Sequence, residues 1–245
     1  MKRTDTSPDA AEINRGFYDA IWADTYLIRP ERFNTWPLVR ELITAGSSRL
    51  EIGSGLRPRL PIPGTCFIEI SRAALTRLVQ EGGFAVQATA EALPFPDAAF
   101  HLVMAMDIIE HVDDDEPVFR ELARVLRPGG ALVLSSPLHP DNWTRFDEVV
   151  GHVRRYQPQE LLARLARHGL TLERSAIYGM QPRSRMLSRM GAWWLTVRRE
   201  QAMRWYNRLF MPMGLFCAKG LRLMPGMIDA TRVDEVLLVC RRNHA

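Results

Sequence analysis

The chain has 245 residues, 47% of them hydrophobic, and a formal net charge of +4. That length and apolar content fit one large α/β domain, or a domain carrying a sizeable insertion, and exclude a chain that is disordered in bulk. The charge is too mild to argue for nucleic acid. Cys66, Cys217 and Cys240, far apart and without CxxC spacing, argue against a disulfide framework or a zinc site, so a reducing cytoplasm is the expected location.

The opening stretch, MKRTDTSPDAAEINRG, holds no apolar run that could act as a signal peptide. Residues 10–45 read as an N-terminal helical segment with Phe17, Tyr18, Trp22 and Tyr26 among its aromatics. From residue 50 to 178, short apolar strands alternate with amphipathic helices, as in a parallel sheet covered on both faces. The strands are expected at 50–52, 67–70, 84–87, 100–105, 131–135 and 171–178, with a final one at 235–240.

Phe100 to Ala105 is apolar apart from His101, as a central parallel strand should be. A helix at about 116–126 has N-cap candidates at Asp113 to Asp115, a proline in its first turn and Val118, Leu122 and Val125 on one face; Gly129-Gly130 should stop it. A second helix at about 158–168 begins at Pro158 and ends at His168, a structural residue facing the helix dipole.

Ligands of parallel sheets sit at the carboxyl ends of the strands. There this sequence places Gly53-Ser54-Gly55 after the first strand, Glu69 at the end of the second, Ala90 to Phe95 after the third, and Asp107 after the fourth, with Glu110-His111 one turn later. A glycine lets a ligand approach the backbone, a carboxylate can take both hydroxyls of a ribose, and an apolar turn can hold a flat base. Pro58, Pro61 and Pro63 occupy the stretch where a phosphate-binding helix would begin, and no third glycine completes GxGxxG, so a dinucleotide is disfavoured.

The motifs LEIGSG, FIEIS, ATAEALPFPDAAFHLVMAMDIIEHV and ELARVLRPGGALVLSSP make residues 49–178 resemble a class I S-adenosylmethionine-dependent methyltransferase of the broad bacterial small-molecule group. The resemblance implies a Rossmann-like α/β fold: a seven-stranded, mostly parallel sheet whose last strand is antiparallel, helices on both faces, and the 10–45 segment folding over the cofactor. It implies that Glu51, Gly53, Ser54 and Gly55 line the methionine end of S-adenosylmethionine and that Glu69 binds the ribose. Ala90 and Glu91 would flank the adenine, and Asp107 would lie near the methionine amine. The family's GDAE appears here as Ala88-Thr89-Ala90-Glu91, and the helix after the glycine turn is replaced by the proline-rich loop. Those departures support a rival reading, a methyltransferase-like protein that binds without transferring.

Residues 138–156, LHPDNWTRFDEVVGHVRRY, fall at the mouth of the same cleft. His111 and His152 are the candidate catalytic bases, needed where a small-molecule acceptor arrives protonated. Each has a plain structural alternative: His111 as a helix-capping residue that shapes the pocket, His152 pinning its loop by bonding Asp147 or backbone. Arg154 and Arg155 read either as a clamp for an acidic acceptor or as a solvated pair. No spaced ligand cluster argues for a metal.

Residues 183–228 read as an insertion of two or three helices, basic between 183 and 222, with interleaved aromatics and only Glu200 opposing. It fits a packed cap, a lid over the acceptor, or a surface touching anionic lipid through Arg and Trp; nucleic acid is a fourth reading. The longest uncharged apolar run, Leu209 to Ala218, is interrupted by Pro212 and is about half of what a bilayer needs.

Overall fold

The computed structural model describes residues 22, 25–179, 190–191, 193–194 and 196–244. The first half of the expected 10–45 helical segment and the start of the 183–228 insertion lie outside the described residues.

Eight strands form one sheet: β1 (Arg49–Ile52), β2 (Thr65–Glu69), β3 (Phe84–Gln87), β4 (Phe100–Met106), β5 (Leu126–Pro137), β6 (Leu170–Ile177), β7 (Met224–Pro225) and β8 (Glu235–Arg242). Their order is β3-β2-β1-β4-β5-β8-β6-β7. The five strands β1 to β5 pair parallel, whereas β8 lies antiparallel to both β5 and β6. The expected antiparallel last strand is present. The expected count of seven is corrected to eight, because Met224-Pro225 bonds to the outer edge of β6.

Side chains along a strand alternate faces, so a strand buried on both sides must be apolar throughout. In β4, Val103 and Ala105 join a core with Leu132, Leu134, Val236 and Leu238. Leu102 and Met104 point the other way, among Leu38, Val39, Leu60, Val133 and Val239. Each such side chain contributes about 1.5–3 kcal/mol by leaving water.

Helices close the two faces. The first core takes Val118, Phe119 and Leu122 of α3 (Glu116–Val125) and Leu161 and Leu165 of α5 (Pro158–Arg167). The second takes Leu38 and Val39 of α1 (Trp36–Leu42). Between β2 and β3, α2 (Arg72–Gln80) starts at Ser71, whose hydroxyl accepts from the Ala74 amide. The short α4 (Arg145–Val150) lies in the loop after β5.

Two local expectations are corrected. Asp115 holds the N-cap position of α3 but makes no capping bond, because its buried carboxylate is taken by Tyr156, Arg154 and Arg164. Gly129-Gly130 does not stop α3: Leu126 is already extended, and both glycines lie within β5.

In the insertion, α6 (Arg199–Trp205) runs through a π turn, Tyr206–Phe210, into α7 (Met211–Cys217). Met211 packs on Ile28 and Phe33. Asn207 is buried, accepts from Arg57 Nη2 at 2.6 Å and donates to Thr25 Oγ1 at 2.7 Å. This stretch therefore fastens the proline-rich loop to the segment before α1, while Trp193 and Phe216 stay exposed. Among the described residues no helix is long and apolar enough to cross a membrane.

Candidate functional site

A cavity of about 260 Å³ opens at the carboxyl ends of β1 to β4. Of the residues singled out in the sequence, Gly53, Glu69, Ala90, Glu91, Asp107 and His111 line it, and Trp22, Thr89, Asp113 and Asp114 join them. Glu51, Ser54, Gly55 and His152 are not among its lining residues.

The glycine turn shows why bare backbone is needed. Gly53 has φ +66°, and a Cβ there would lie 2.2 Å from Ile108 Cδ1. A Cβ on Gly55, at φ +54°, would strike the Trp22 ring at 2.1 Å. The Gly55 amide donates to Glu69 Oε2 at 2.8 Å, and the amides of Ile70 and Ser71 donate to Oε1. The Glu69 carboxylate is thus fixed at the cavity wall by backbone donors.

The proline-rich loop replaces the expected helix with a clasp on Glu51. No helix occurs between Gly53 and Gly64. Instead the amides of Arg59 and Leu60 each donate to a Glu51 oxygen at 2.8 Å. Burial pushes the Glu51 carboxyl up to about 7 despite those two bonds. Arg59 sits over Phe33, its Cζ 3.6 Å from the ring centroid, and reaches the Tyr178 hydroxyl at 3.2 Å.

Asp107 has a left-handed backbone, φ +54°. Its amide donates to Ser135 Oγ at 3.0 Å, and that hydroxyl donates back to Asp107 Oδ1. Burial, and then the charges of Asp107 and Glu110, push the carboxyl of Glu235, on β8, well above the usual carboxylate range. The turn after β3 is anchored from α3: the Leu93 amide donates to Glu121 Oε2, and Arg124 reaches the Leu93 and Phe95 carbonyls.

Beside the cavity, the loop of residues 138–156 is pinned inward. Burial alone would raise the Asp147 carboxyl. Bonds from His152 Nδ1 (2.9 Å), Arg155 and Thr144 outweigh it and hold the group below the usual carboxylate range. Arg155 has no side-chain exposure and also binds Asp234 at 2.8 Å. Arg154 is bound to Asp115 and to the Val112 carbonyl. Both readings of the Arg154-Arg155 pair, clamp and solvated surface, are corrected: two carboxylate clusters absorb them. Tyr156 is buried with its hydroxyl donating to Asp115, so it is a fixed strut. His101 bonds Ser48 and His168 pairs with Glu116, both structural positions.

The His152 ring meets His111 edge-on at 4.7 Å between centroids. Burial, then the neighbouring His152, lowers His111 to about 3, so the ring is neutral near pH 7. Its Nδ1 lies 3.2 Å from the Gly151 carbonyl, which can only accept, so the proton sits on Nδ1. Next to them Glu110 is fully buried. The expectation of no ligand cluster is corrected here, since Glu110, His111 and His152 converge with ligand atoms within 4.8 Å of one another. The Val153 amide donates to the Glu110 carbonyl at 2.8 Å and draws the two segments together across about forty residues. A carboxylate inside the apolar run Ile108 to Val112 was the one local signal.

A methyltransferase-domain family model matches residues 64–134. The ubiquinone/menaquinone biosynthesis C-methyltransferase UbiE of Hahella chejuensis is 48% identical over 58 residues, 22% of this chain and 23% of that protein. The matched stretch is similar to S-adenosylmethionine-dependent methyltransferases. The uncharacterized protein YafE of Escherichia coli is 39% identical over 84 residues, 31% of this chain and 41% of the other. The chain matches less than half the length of these curated relatives. Two solved structures share the fold across nearly the whole chain. A SAM-dependent methyltransferase of Thermotoga maritima has TM-score 0.59, 18% identity and 95% coverage of each chain. The [4+2]-cyclase SpnF has TM-score 0.60, 18% identity and 97% coverage of each. S-adenosylmethionine is the cofactor the domain implies.

The cavity's chemistry fits that cofactor. Among the described residues its titratable lining is Glu69, Glu91, Asp107, Asp113, Asp114 and the neutral His111, without a lysine or arginine. Such a wall suits a ligand with a cationic sulfonium and no phosphate.

Proposed function

We propose that the protein transfers a methyl group from S-adenosylmethionine to an oxygen or nitrogen atom of a small, partly apolar molecule. The acidic cavity wall, free of cationic side chains among the described residues, carries this reading. The bound cofactor supplies an electrophilic methyl on a cationic sulfur. Glu69 takes the ribose hydroxyls, Gly53 gives the chain room, Ala90 and Glu91 flank the adenine, and Asp107 receives the methionine amine. Ser54 and Gly55 act from behind the wall, Gly55 by holding Glu69 through its amide. Glu51 ties the proline-rich loop to β1, which sets the position of the glycine turn.

Methyl transfer is an in-line displacement, so alignment and water exclusion supply most of the acceleration. Trp22 covers the glycine turn from one side. His111 faces the acceptor, with His152 against its back, and the proton of a hydroxyl or ammonium acceptor leaves on this side. The rival reading, binding without transfer, is favoured by the missing helix after Gly55, and SpnF shows that the fold also serves a cyclase.

Calorimetric titration with S-adenosylhomocysteine tests the assignment. Wild type should bind with micromolar affinity, and Glu69→Ala should weaken binding about a hundredfold, near 3 kcal/mol. Wild type that fails to bind at millimolar ligand overturns the cofactor reading, and binding unchanged by Glu69→Ala overturns the role of Glu69.

A further inference from the structure

Glu110 stands out among the described residues. It is 0% exposed, and among the described residues neither carboxylate oxygen has a hydrogen-bond partner on another residue. A buried carboxylate without a partner costs several kcal/mol, and folds usually discard such groups or satisfy them. What surrounds it is acidic: Asp107, Glu235 and Asp147, with Arg155 the opposing charge. Around this carboxylate stand two imidazoles oriented in the same way. His152 presents Nδ1 to the ionised Asp147, and His111 presents Nδ1 to the Gly151 carbonyl. A carboxylate or carbonyl on Nδ1 fixes the tautomer and turns Nε2 into the lone-pair atom, the arrangement found behind metal-bound histidines. The Nε2 atom of His152 lies 4.0 Å from Glu110 Oε1.

We propose that Glu110, His111 and His152 form a binding site for one divalent transition-metal ion, with two imidazole nitrogens and one carboxylate as its protein ligands. Two nitrogens and a carboxylate suit zinc or iron(II), and leave coordination positions open. Three ligands about 2.1 Å from one tetrahedral ion stand about 3.4 Å from one another. The set, now within 4.8 Å, therefore draws in by about an ångström when the ion enters. Asp147 and Gly151 are the outer partners that orient the rings.

The ion would face the cavity through His111, which lines it. Its open positions would take an oxygen of the acceptor and favour loss of the hydroxyl proton. The methyl–sulfur bond then breaks with its electron pair left on sulfur, the new methyl–oxygen bond forms from the oxygen pair, and the proton goes to solvent. This part rests on the methyl-transfer reading and narrows the acceptor to a hydroxyl compound; the site itself does not.

Chelator-treated full-length protein is titrated with zinc chloride by calorimetry, and with cobalt(II) by visible absorption. The expected result is one ion per chain at micromolar affinity or tighter, with a cobalt spectrum of nitrogen and oxygen ligands. Glu110→Gln is nearly isosteric and should keep the fold while lowering affinity at least a hundredfold, and His152→Gln should do likewise. Absence of saturable binding in wild type, or variants that bind as wild type does, overturns the proposal; the second result places the ion elsewhere, for instance on a cysteine. S-adenosylhomocysteine titrated into the same samples separates the two claims. Cofactor binding without zinc binding removes the metal site alone, and zinc binding without cofactor binding removes the methyl-transfer reading alone.

Discussion

Asp147→Asn removes the charge that holds the loop of residues 138–156 against the sheet. The carboxylate accepts from His152 Nδ1 at 2.9 Å, Arg155 Nε at 2.8 Å and the Thr144 amide at 2.8 Å. Breaking a buried ion pair from one side costs about 3–5 kcal/mol, because the other charge stays buried. Arg155 keeps its bond to Asp234, which sets the expected loss at the lower end, about 3 kcal/mol. At roughly 2–4 °C per kcal/mol for a chain of this size, Tm should fall by about 6–12 °C. Asp234→Asn is the control. That partner is 43% exposed, so its loss should cost no more than about 1 kcal/mol.

The same pair has a pH signature. Asp147 has a folded-state pKa below its unfolded value of about 3.9, so its stabilisation is complete above about pH 5 and fades as pH falls through the folded value. Thermal unfolding followed by circular dichroism should show the gap between wild type and Asp147→Asn narrowing below pH 4. Equal losses in Asp147→Asn and Asp234→Asn, or a gap that does not change with acidification, would refute the argument that burial makes this pair matter.

Two further outcomes are expected. Gly55→Ala combines a left-handed backbone, φ +54°, with a methyl aimed at the Trp22 ring; it should cost about 1–3 kcal/mol and shift the Trp22 indole N–H resonance, whereas an unmoved resonance would show that the ring does not rest on this glycine. Glu51 is raised to about 7 in the folded protein, so its ionisation there is unfavourable and stability should decline as pH rises from about 4.5 to 7. Glu51→Gln should flatten that part of the stability profile, and an unchanged profile would mean that the clasp from Arg59 and Leu60 already stabilises the anion.

Features set by local pattern were legible in the sequence. Phe100 to Ala105, apolar apart from His101, lies in β4, and Pro117 with Val118, Leu122 and Val125 marked α3. Gly53, Glu69, Ala90, Glu91 and Asp107 reach one cavity because parallel strands deliver their carboxyl ends to one edge. Features set by distant partners were hidden. Asp115 has the spacing of a cap, but Tyr156 and Arg164 claim it from 41 and 49 residues away. Arg155 looks like half of a surface pair until Asp147 and Asp234 close around it. Glu110 and His152 meet only because the loop after β5 folds back beneath the turn that follows β4.

The position of β8 constrains the order of assembly. β5 ends at Pro137, yet the strand that seals its free side begins at Glu235, and β6 waits for the same strand. While the chain is being synthesised, β1 to β5 can zip together in sequence, but the free edge of β5 stays open for roughly a hundred residues and that of β6 for roughly sixty. The sticky interval of this protein's biogenesis should fall there. A ribosome-stalled chain that ends before Glu235 should need a chaperone to stay soluble, and one released after Arg242 should not.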